Sequence, residues 1–499
     1  MLTLDTLRFD NTYAELPDAF YQTVFPTPLQ GARLAAFSPE AAALIDLDPK
    51  EATRREFAEQ LVGARTWPGI WPLAQVYAGH QFGSFVPQLG DGRAILLGEA
   101  CAERPHVWNR YRNLSGRKWD LHLKGSGPTA YSRQFDGRAV LRSCLREFLV
   151  SEAMEALGIP TARALAVVAS DEPVFREKAE PGAMLLRLSP SHIRFGTFEY
   201  FYFSKRYAEL KELADFTLHQ YFPHLESHAT PYAAFFREVV GRTAELIAHW
   251  QAVGFTHGVM NTDNFSILGL TMDYGPYGFL DEFNPSYVSN HSDPGGVYAF
   301  GNQPQVGFFN IQCLMRSLSP LLTREQADEA LADYEPALAR CYLGLMADKL
   351  GLLTRRDEDE VLLHDLLGLL PGTDYTLFFR RLAGLQAEGC GEVDTSWLSD
   401  ISPDPLAFQA WLGRYRQRLQ AEGSDDLKRR AHMNSINPAH VLRNYLAQQA
   451  IVAASQGDYG ETERLRRALL NPFLETPETV SYGKPSPEWG RKLVISCSS

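Results

Sequence analysis

The feature that most constrains the fold of this 499-residue sequence is a change in hydrophobic periodicity near residue 200. Between about residues 72 and 190, most segments show the alternation that is typical of β-strands. In WDLHLKGSG (119–127), for example, apolar side chains alternate with Asp120, His122 and Lys124. From about residue 205 onward, apolar residues recur at helical spacing. A chain with strands first and helices afterwards is predicted to be α+β, with a β-rich lobe and a helical lobe.

Individual segments sharpen this prediction. Residues 139–160 predict one long helix inside the β-rich lobe, ended by Gly158 and Pro160. QLGDGRAILLGEA (88–100) predicts a hairpin around a Gly-Asp-Gly turn. The remaining predictions are strands at 164–170 and 182–189, a helix at 235–255 ended by Gly254, an almost wholly helical region at 320–480, and an extended tail from 473 on.

Composition excludes several function classes. The balance of 48 basic against 60 acidic residues gives a net charge of −12, which argues against nucleic acid as the main partner. The six cysteines are scattered without a CxxC pair, so a reduced, cytoplasmic protein is expected. The acidic first 30 residues exclude a secretory signal. No run of about 18 apolar residues occurs, so no membrane span is expected.

The stretch HGVMNTDNFSILGLTMDYG (257–275) resembles the catalytic region of a kinase. Asn264 and Asp273, on the two arms of a predicted hairpin, supply the oxygen donors that Mg²⁺ or Mn²⁺ prefers beside phosphates. Kinases place a catalytic Asp five residues before this Asn, and here that residue is Val259, which cannot accept a proton. Asp263 is the nearest carboxylate and is therefore the candidate general base.

Upstream residues complete a kinase-like series. Lys124 ends a predicted strand, and Glu147 lies inside the following helix, where it can orient the lysine toward phosphates. Gly90 and Gly92 would form a glycine-rich loop over the nucleotide, although a plain hairpin turn explains them equally well. The order of glycine turn, strand lysine, helix glutamate and metal ligands is what favours a nucleotide site. It predicts a protein kinase-like two-lobed fold with a C-terminal helical extension.

A second anion pocket is suggested by three arginines and one loop. Arg93, Arg187 and Arg194 offer forked donors for phosphate, and the loop SGPTAYSRQFDGRA carries Asp136 and Gly137. If this pocket holds the γ-phosphate away from the acceptor, the α-phosphorus faces the acceptor instead. Nucleotide would then be transferred and pyrophosphate released, an inversion that the sequence permits.

These blocks resemble the selenoprotein O (SelO/YdiU) family, a branch of pseudokinases. The resemblance runs through residues 77–99, 123–154 and 257–283 and continues at MNSINPAHVLRNYL (433–446). It implies a kinase-like fold that binds ATP in a flipped orientation and transfers AMP, with UMP as an alternative, to Ser, Thr or Tyr hydroxyls of proteins. By motif, the implied nucleotide contacts are Gly90, Gly92, Arg93, Lys124, Asp136, Gly137, Arg187, Arg194 and Asp273. Asp263 would be the proton acceptor, and Asn264 and Asp273 would bind Mg²⁺ or Mn²⁺.

One departure concerns redox control. Some bacterial relatives pair a cysteine in the loop after the metal Asp with a cysteine near the C-terminus. Here Cys497 is present, but Ser289 stands where the loop cysteine would lie, and Cys313 belongs to another segment. That disulfide is therefore not expected, and a redox role for Cys497 stays open.

The sequence is compatible with three functions. The first is a protein adenylyltransferase, the second a kinase that transfers the γ-phosphate, and the third a catalytically silent nucleotide-binding scaffold. Val259 argues against the second, and the metal ligands argue against the third. The predicted division is an N-terminal extension (1–70), a nucleotide-binding N-lobe (71–200), a C-lobe with the catalytic and metal residues (201–330) and a helical extension with the tail (331–499). The protein targets and the oligomeric state are left open, and a monomer is compatible with the sequence.

Overall fold

The computed structural model describes residues 1–388 and 393–496. The strands in these ranges are β1 (Tyr21–Thr23), β2 (Arg33–Phe37), β3 (Leu73–Gln75), β4 (Gly79–Gln81), β5 (Ser84–Val86), β6 (Ala94–Asn109), β7 (Leu114–Lys124), β8 (Ala139–Val140), β9 (Arg163–Phe175), β10 (Ala179–Ser189), β11 (Phe255–Thr256) and β12 (Gly278–Phe279). The first ten of these precede residue 190, and β3 to β10 lie in the range of about 72 to 190 that the periodicity predicted, whereas β1 and β2 precede it.

The helices follow mainly in the second part of the chain. They are α1 (Pro39–Ala43), α2 (Arg55–Leu61), α3 (Leu141–Ala156), α4 (Phe195–Phe203), α5 (Tyr207–Tyr221), α6 (Pro231–Val253), α7 (Gln303–Leu318), α8 (Arg324–Leu331), α9 (Tyr334–Lys349), α10 (Glu358–Leu369), α11 (Tyr375–Leu382), α12 (Gln409–Ala421), α13 (Asp426–Ile436), α14 (Asn444–Ser455), α15 (Gly460–Leu469) and α16 (Glu488–Arg491). The protein is therefore α+β, with a β-sheet lobe and a helical lobe. None of the helices in the described ranges is both long and apolar enough to cross a lipid bilayer.

An antiparallel eight-stranded sheet forms the first lobe. Its order is β1-β3-β6-β7-β10-β9-β2, with β8 paired to β10. Between β7 and β10 the register places Arg187 opposite His122 and Leu185 opposite Lys124. Residues directly opposite each other, and residues two apart on one strand, share a face of the sheet. Lys124, His122 and Arg187 therefore point to the same face, which is the face that α3 covers.

The two faces of the sheet are covered by different parts of the chain. On the α3 face, Leu96 and Leu185 pack with Leu145 and Phe148 in a core that continues into the helical lobe. On the opposite face, strand residues pack against the N-terminal segment, including Leu4, Ile45, Phe57 and Trp67. Residues 1–70 also contribute β1 and β2 to the sheet. The predicted N-terminal extension is thus structurally part of the β-rich lobe.

The helix α3 is buried along nearly its whole length, and charged residues on its inner side contact side chains of other helices. Arg146 donates to Asn444 of α14 at 3.3 Å, and Glu152 lies 3.5 Å from Arg466 of α15. The C-terminal helices α14 and α15 therefore brace the helix that carries Glu147. A separate apolar core, with Phe378, Trp411 and Met433 among its members, holds α9 to α13 together.

The local predictions for residues 88–100 and for the tail are wrong. Residues 88–91 do not form the first strand of a hairpin, because Leu89 and Asp91 donate their backbone N–H groups to Tyr77 and Gln75. A hairpin forms instead at a slightly earlier position, between β4 and β5, with its turn at 82–83. The tail after 473 contains turns and α16 in its described part, where an extended chain was expected.

Candidate functional site

The centre of the site is the carboxylate of Asp273, held by two arginines. Arg187 donates to Oδ1, and Arg194 donates to Oδ2 at 2.6 Å. The two arginine side chains are 4% and 2% exposed, so both charges need a buried partner. Burial alone would raise the pKa of Asp273, but Arg187 and Arg194 outweigh it and hold this pKa well below its usual range. Asp273 is therefore ionised at any physiological pH.

The chain brings Asp273 to this position through an unusual backbone conformation rather than through a hairpin. Its φ is +55°, in the left-handed region that non-glycine residues seldom adopt. The predicted hairpin between Asn264 and Asp273 does not form, because its two arms pair elsewhere: Ser266 bridges Arg194, and Thr271 bridges Thr161. The first of these bridges connects the arm after Asn264 to the residue that binds Asp273, so both arms are anchored to the β-rich lobe.

Lys124 and Glu147 form the predicted ion pair. The ammonium of Lys124 contacts Oε2 of Glu147, and both side chains are almost fully buried. The other oxygen of Glu147 accepts from Arg187 at 3.1 Å. Glu147 therefore joins the lysine to the arginine–Asp273 cluster, and five of the predicted site residues form one continuous charged network.

Asp263 lies in a very different environment. It sits in a 3₁₀ turn, Thr262–Asn264, and among the described residues its carboxylate accepts one side-chain hydrogen bond, a weak 3.4 Å contact from Gln81 to Oδ2. Within the described residues, Oδ1 is buried and has no hydrogen-bond partner. Burial raises the pKa of Asp263 to about 7, although the positive charge of Arg194 opposes this. A carboxyl group with a pKa near neutrality is suited to accept a proton.

Close packing of backbone surrounds this carboxylate. A Cβ on Gly79 would lie 2.4 Å from Oδ1 of Asp263, and a Cβ on Gly196 would lie 2.1 Å from the carbonyl oxygen of Ala78. The backbone carbonyl of Asp263 also accepts from Arg194 at 2.7 Å. These contacts hold the turn firmly, although they leave Oδ1 without a hydrogen bond.

The residue types present fit a divalent cation of the Mg²⁺ or Mn²⁺ class. The amide nitrogen of Asn264 donates to the carbonyl of Val259 at 2.9 Å, which turns the amide oxygen away from that contact. Each carboxylate oxygen of Asp273 has a second lone pair besides the one that an arginine uses. Asn264 and Asp273 therefore offer an all-oxygen donor set, as hard cations require.

The remaining predicted nucleotide contacts lie on two loops that hydrogen-bond to each other. Gly90 has φ +73°, and a Cβ there would lie 2.4 Å from the ring of Tyr131. Ser132 donates to the carbonyl of Gly92, and Thr129 donates to the carbonyl of Asp91 at 2.7 Å. The glycine loop and the loop containing Asp136 are therefore joined.

Arg93 and Asp136 do not join the arginine cluster. Arg93 is exposed, and its side chain makes no hydrogen bond or ion pair within the described parts of the chain. Asp136 is exposed and accepts a two-pronged contact from Arg176 at 2.8 and 2.9 Å, which lowers its pKa. Gly137 has φ +66°, and a Cβ there would collide with the carbonyl of Gly127. Only Arg187 and Arg194, of the three predicted arginines, therefore converge.

Sequence reasoning missed a buried histidine next to the cluster. Nδ1 of His122 lies 2.6 Å from Arg187, and Nε2 lies 3.2 Å from Asp91. Because the arginine can only donate, Nδ1 must accept, and the proton is on Nε2. Burial lowers the pKa of His122, so the ring is neutral. The strand alternation had placed His122 on the same face as Lys124, and this was the available signal.

Two further contacts extend this polar network. The ring of His122 stacks on that of His192 at 4.2 Å, and His192 contacts Asp120 at 3.0 Å. Arg194 stacks on the ring of Tyr77 at 4.3 Å. The sequence carried no sign of the tyrosine contact, which depends on residues far apart in the chain.

The cysteine predictions are tested only in part. Cys101, Cys144, Cys313 and Cys341 are free thiols, and Ser289 is buried in the loop after Asp273. Cys497, on which the redox question rests, lies outside the described residues, as does Cys390.

Comparison with known proteins defines the class. The family described as "Protein adenylyltransferase SelO" matches residues 3–469. The protein nucleotidyltransferase YdiU of Myxococcus xanthus is 51% identical over 502 residues, and that of Pseudomonas fluorescens (strain Pf0-1) is also 51% identical. The YdiU protein of Thioalkalivibrio sulfidiphilus is 49% identical over 510 residues. Each alignment covers 100% of both chains. The chain belongs to the SelO family of protein adenylyltransferases, as the resemblance of its motifs indicated.

Proposed function

We propose that this protein is a transferase that moves AMP from ATP to Ser, Thr or Tyr hydroxyls of protein substrates and releases pyrophosphate. Family membership supports the activity and the use of ATP. The observation that supports the assignment of roles most directly is the contrast between Asp263 and Asp273. One carboxylate is poised to take a proton, and the other is permanently ionised beside two arginines.

In the proposed reaction, the acceptor hydroxyl oxygen attacks the α-phosphorus of ATP. The new O–P bond forms as the bond from the α-phosphorus to the bridging oxygen breaks, and pyrophosphate leaves with the electron pair. The hydroxyl proton passes to Asp263, which lies beside Asn264 in the 3₁₀ turn. The products are a phosphodiester-linked AMP on the protein and pyrophosphate.

The remaining roles follow from charge and position. Lys124, oriented by Glu147, and the arginines Arg187 and Arg194 would bind phosphate oxygens. Gly90, Gly92, Arg93, Asp136 and Gly137 would border the nucleotide. Asn264 and Asp273 would hold Mg²⁺ or Mn²⁺, which when bound supplies charge neutralisation on the phosphates.

The kinase-like architecture is part of this proposal. The paired strand lysine and helix glutamate, followed by the metal-binding turn in the helical lobe, support a protein kinase-like arrangement of the two lobes. In the proposed division the N-lobe is 71–200, with residues 1–70 as an extension that adds β1 and β2 to its sheet, the C-lobe is 201–330, and 331–499 is a helical extension with the tail. The free thiols and the absence of a CxxC pair support a cytoplasmic location.

Isotopic labelling tests the proposal. The protein is incubated with Mg²⁺ or Mn²⁺ and with ATP labelled at either the α- or the γ-phosphorus, and label on protein is measured by autoradiography. We expect label from the α-phosphorus alone. Label from the γ-phosphorus alone would identify a kinase, and label from neither, with a mixture of cellular proteins supplied as acceptors, would favour a silent scaffold. A parallel reaction with α-labelled UTP measures nucleotide preference.

A further inference from the structure

A cluster of three different metal-binding side chains lies behind the turn that carries Asp263. His80 comes from β4, Glu199 from α4 and Cys313 from α7. One donor atom from each residue lies within 4.8 Å of the donor atoms of the other two. Nδ1 of His80 is 2.6 Å from Oε1 of Glu199. Three distant segments of chain thus bring a nitrogen, an oxygen and a sulfur donor together.

Among the described residues, the buried carboxylate of this cluster contacts the imidazole of His80 and the hydroxyl of Thr262 and has no permanently charged partner. Glu199 is 0% exposed, and among the described residues it forms no ion pair with a lysine or an arginine. The nearby Arg316 lies over the ring of Phe203 at 5.1 Å instead. A buried carboxylate is costly unless a cation or several hydrogen bonds compensate it. A bound metal ion would provide this compensation.

The surroundings of the cluster are apolar and restrict water. The ring of His80 lies 5.2 Å from Phe85 and 5.9 Å from both Phe203 and Phe309. Cys313 is 8% exposed, and its sulfur makes no hydrogen bond within the described ranges. A shielded thiol beside an imidazole and a carboxylate is a set that borderline-soft metals prefer.

We propose that His80, Glu199 and Cys313 form a second metal site, selective for Zn²⁺ and distinct from the all-oxygen site of Asn264 and Asp273. Zn²⁺ accepts nitrogen, sulfur and carboxylate oxygen ligands, whereas Mg²⁺ takes oxygen ligands almost alone. On binding, the protons now shared by His80 with Glu199 and carried by Cys313 are released to solvent, as metal coordination requires.

This site connects to the catalytic turn through Thr262. Its hydroxyl donates to Oε2 of Glu199, and it accepts the backbone N–H of His80 at 2.7 Å. A metal held through Oε1 leaves the contact between Oε2 and Thr262 in place. Zinc would therefore clamp β4, α4 and α7 around the turn that positions Asp263, which is a structural role independent of the nucleotide reaction.

Cobalt substitution tests this proposal without an activity assay. The full-length chain, purified without an affinity tag and stripped with a chelator, is titrated with Co²⁺ and then with Zn²⁺. We expect one equivalent of cobalt with a thiolate-to-cobalt charge-transfer band, which Zn²⁺ then abolishes. Cys313→Ala should lose the band and weaken Zn²⁺ binding by more than about 100-fold.

Matched variants separate this site from other causes. Cys341→Ala, which removes a half-buried thiol of α9, should retain the band, and Asp273→Ala should retain it too. Zn²⁺ should raise the melting temperature of the wild type and of Cys341→Ala, but not that of Cys313→Ala. An absent band in the wild type, or an unchanged zinc titration of a folded Cys313→Ala protein, would overturn the proposal.

Discussion

Asp263 and Asp273 belong to one short stretch, and their surroundings drive their chemistry in opposite directions, although Asp263 is buried and the side chain of Asp273 is 22% exposed. Asp273 is gripped by Arg187 and Arg194, and its pKa lies well below the usual range. Among the described residues, Asp263 accepts a single weak side-chain hydrogen bond, and burial raises its pKa to about 7. Two carboxyl groups with separated pKa values can divide the work of a reaction, one as a fixed anion and the other as a proton acceptor. Neighbouring charges, rather than residue type, therefore determine the role of each carboxylate.

The largest effect on activity and stability is expected for Asp273→Ala. It removes a proposed metal ligand and leaves two buried arginines with fewer partners, although Glu147 still pairs with Arg187. We expect AMP transfer to fall by more than about 1000-fold. The free energy of unfolding should fall by about 3–5 kcal/mol, as for other broken buried ion pairs. Label transfer and chemical denaturation measure the two effects.

A matched control separates stability from chemistry. Asp374→Asn removes a buried carboxylate, both oxygens of which accept hydrogen bonds from Arg443. Asp374 lies far along the chain from the site. It should lower stability similarly and leave transfer by the folded fraction near the wild-type level. Unchanged labelling by Asp273→Ala would contradict the metal assignment.

Lys124→Met tests the charged network around Asp273 through a residue of the sheet. The substitution keeps the volume of the side chain but removes the partner of Glu147 and one proposed phosphate contact. We expect transfer to fall by roughly 100- to 1000-fold, with a smaller loss of stability because Glu147 keeps Arg187. Lys349→Met is the control, since Lys349 is also buried but lies over the rings of Tyr375 and Phe379. Full activity of Lys124→Met would remove this lysine from the site.

Asp263→Asn should distinguish the two carboxylates, since it should lower activity and raise stability near neutral pH. Transfer should fall by roughly 100-fold, at the low end for a general base because phosphoryl transfer needs little proton removal early on. In the wild type, rates should rise with pH and level off above about 7, as Asp263 loses its proton. The variant should lack this rise. A pH–rate profile of both proteins decides the point.

The stability of the same two proteins should differ with pH. Because burial raises the pKa of Asp263 from 3.8 to about 7, the folded protein binds more protons than the unfolded chain between these values. The contribution of Asp263 to the free energy of unfolding is therefore present below pH of about 4 and is lost as pH rises toward 7. The loss is on the order of 4 kcal/mol, and Asp263→Asn should escape it. Denaturation at pH 5 and pH 8 measures this loss, and an equal change between the two pH values in the wild type and in Asp263→Asn would show that Asp263 is ionised at both.

The smallest expected effect is that of Gln81→Ala. Gln81 donates the weak 3.4 Å hydrogen bond that lowers the pKa of Asp263 slightly. Its loss should move the rise of the pH–rate profile upward by less than about one pH unit, with little change in the plateau rate. A profile that does not move would show that this contact leaves the proton affinity of Asp263 unaltered.

The long and strongly periodic elements could be predicted from the sequence. The helix at 139–160 and the strands at 164–170 and 182–189 are present as α3, β9 and β10, because periodicity reports which side chains one element buries. The pairing of Lys124 with Glu147 followed from the same elements. The hairpins predicted at 88–100 and at 264–273 were wrong, since glycine turns report local bending and carry no information about which strand a segment joins.

By itself, the sequence determined the α+β order, the motifs that place the chain in its family, and the residue types of the site. Tertiary structure alone decided that Arg187 and Arg194 meet at Asp273 while Arg93 stays exposed, and that Asp263 keeps an unpaired oxygen. The physical reason is that a pKa depends on burial and on charges a few ångströms away. Here those charges come from β10 and from the residue that precedes α4, and only the folded chain brings them to the two carboxylates.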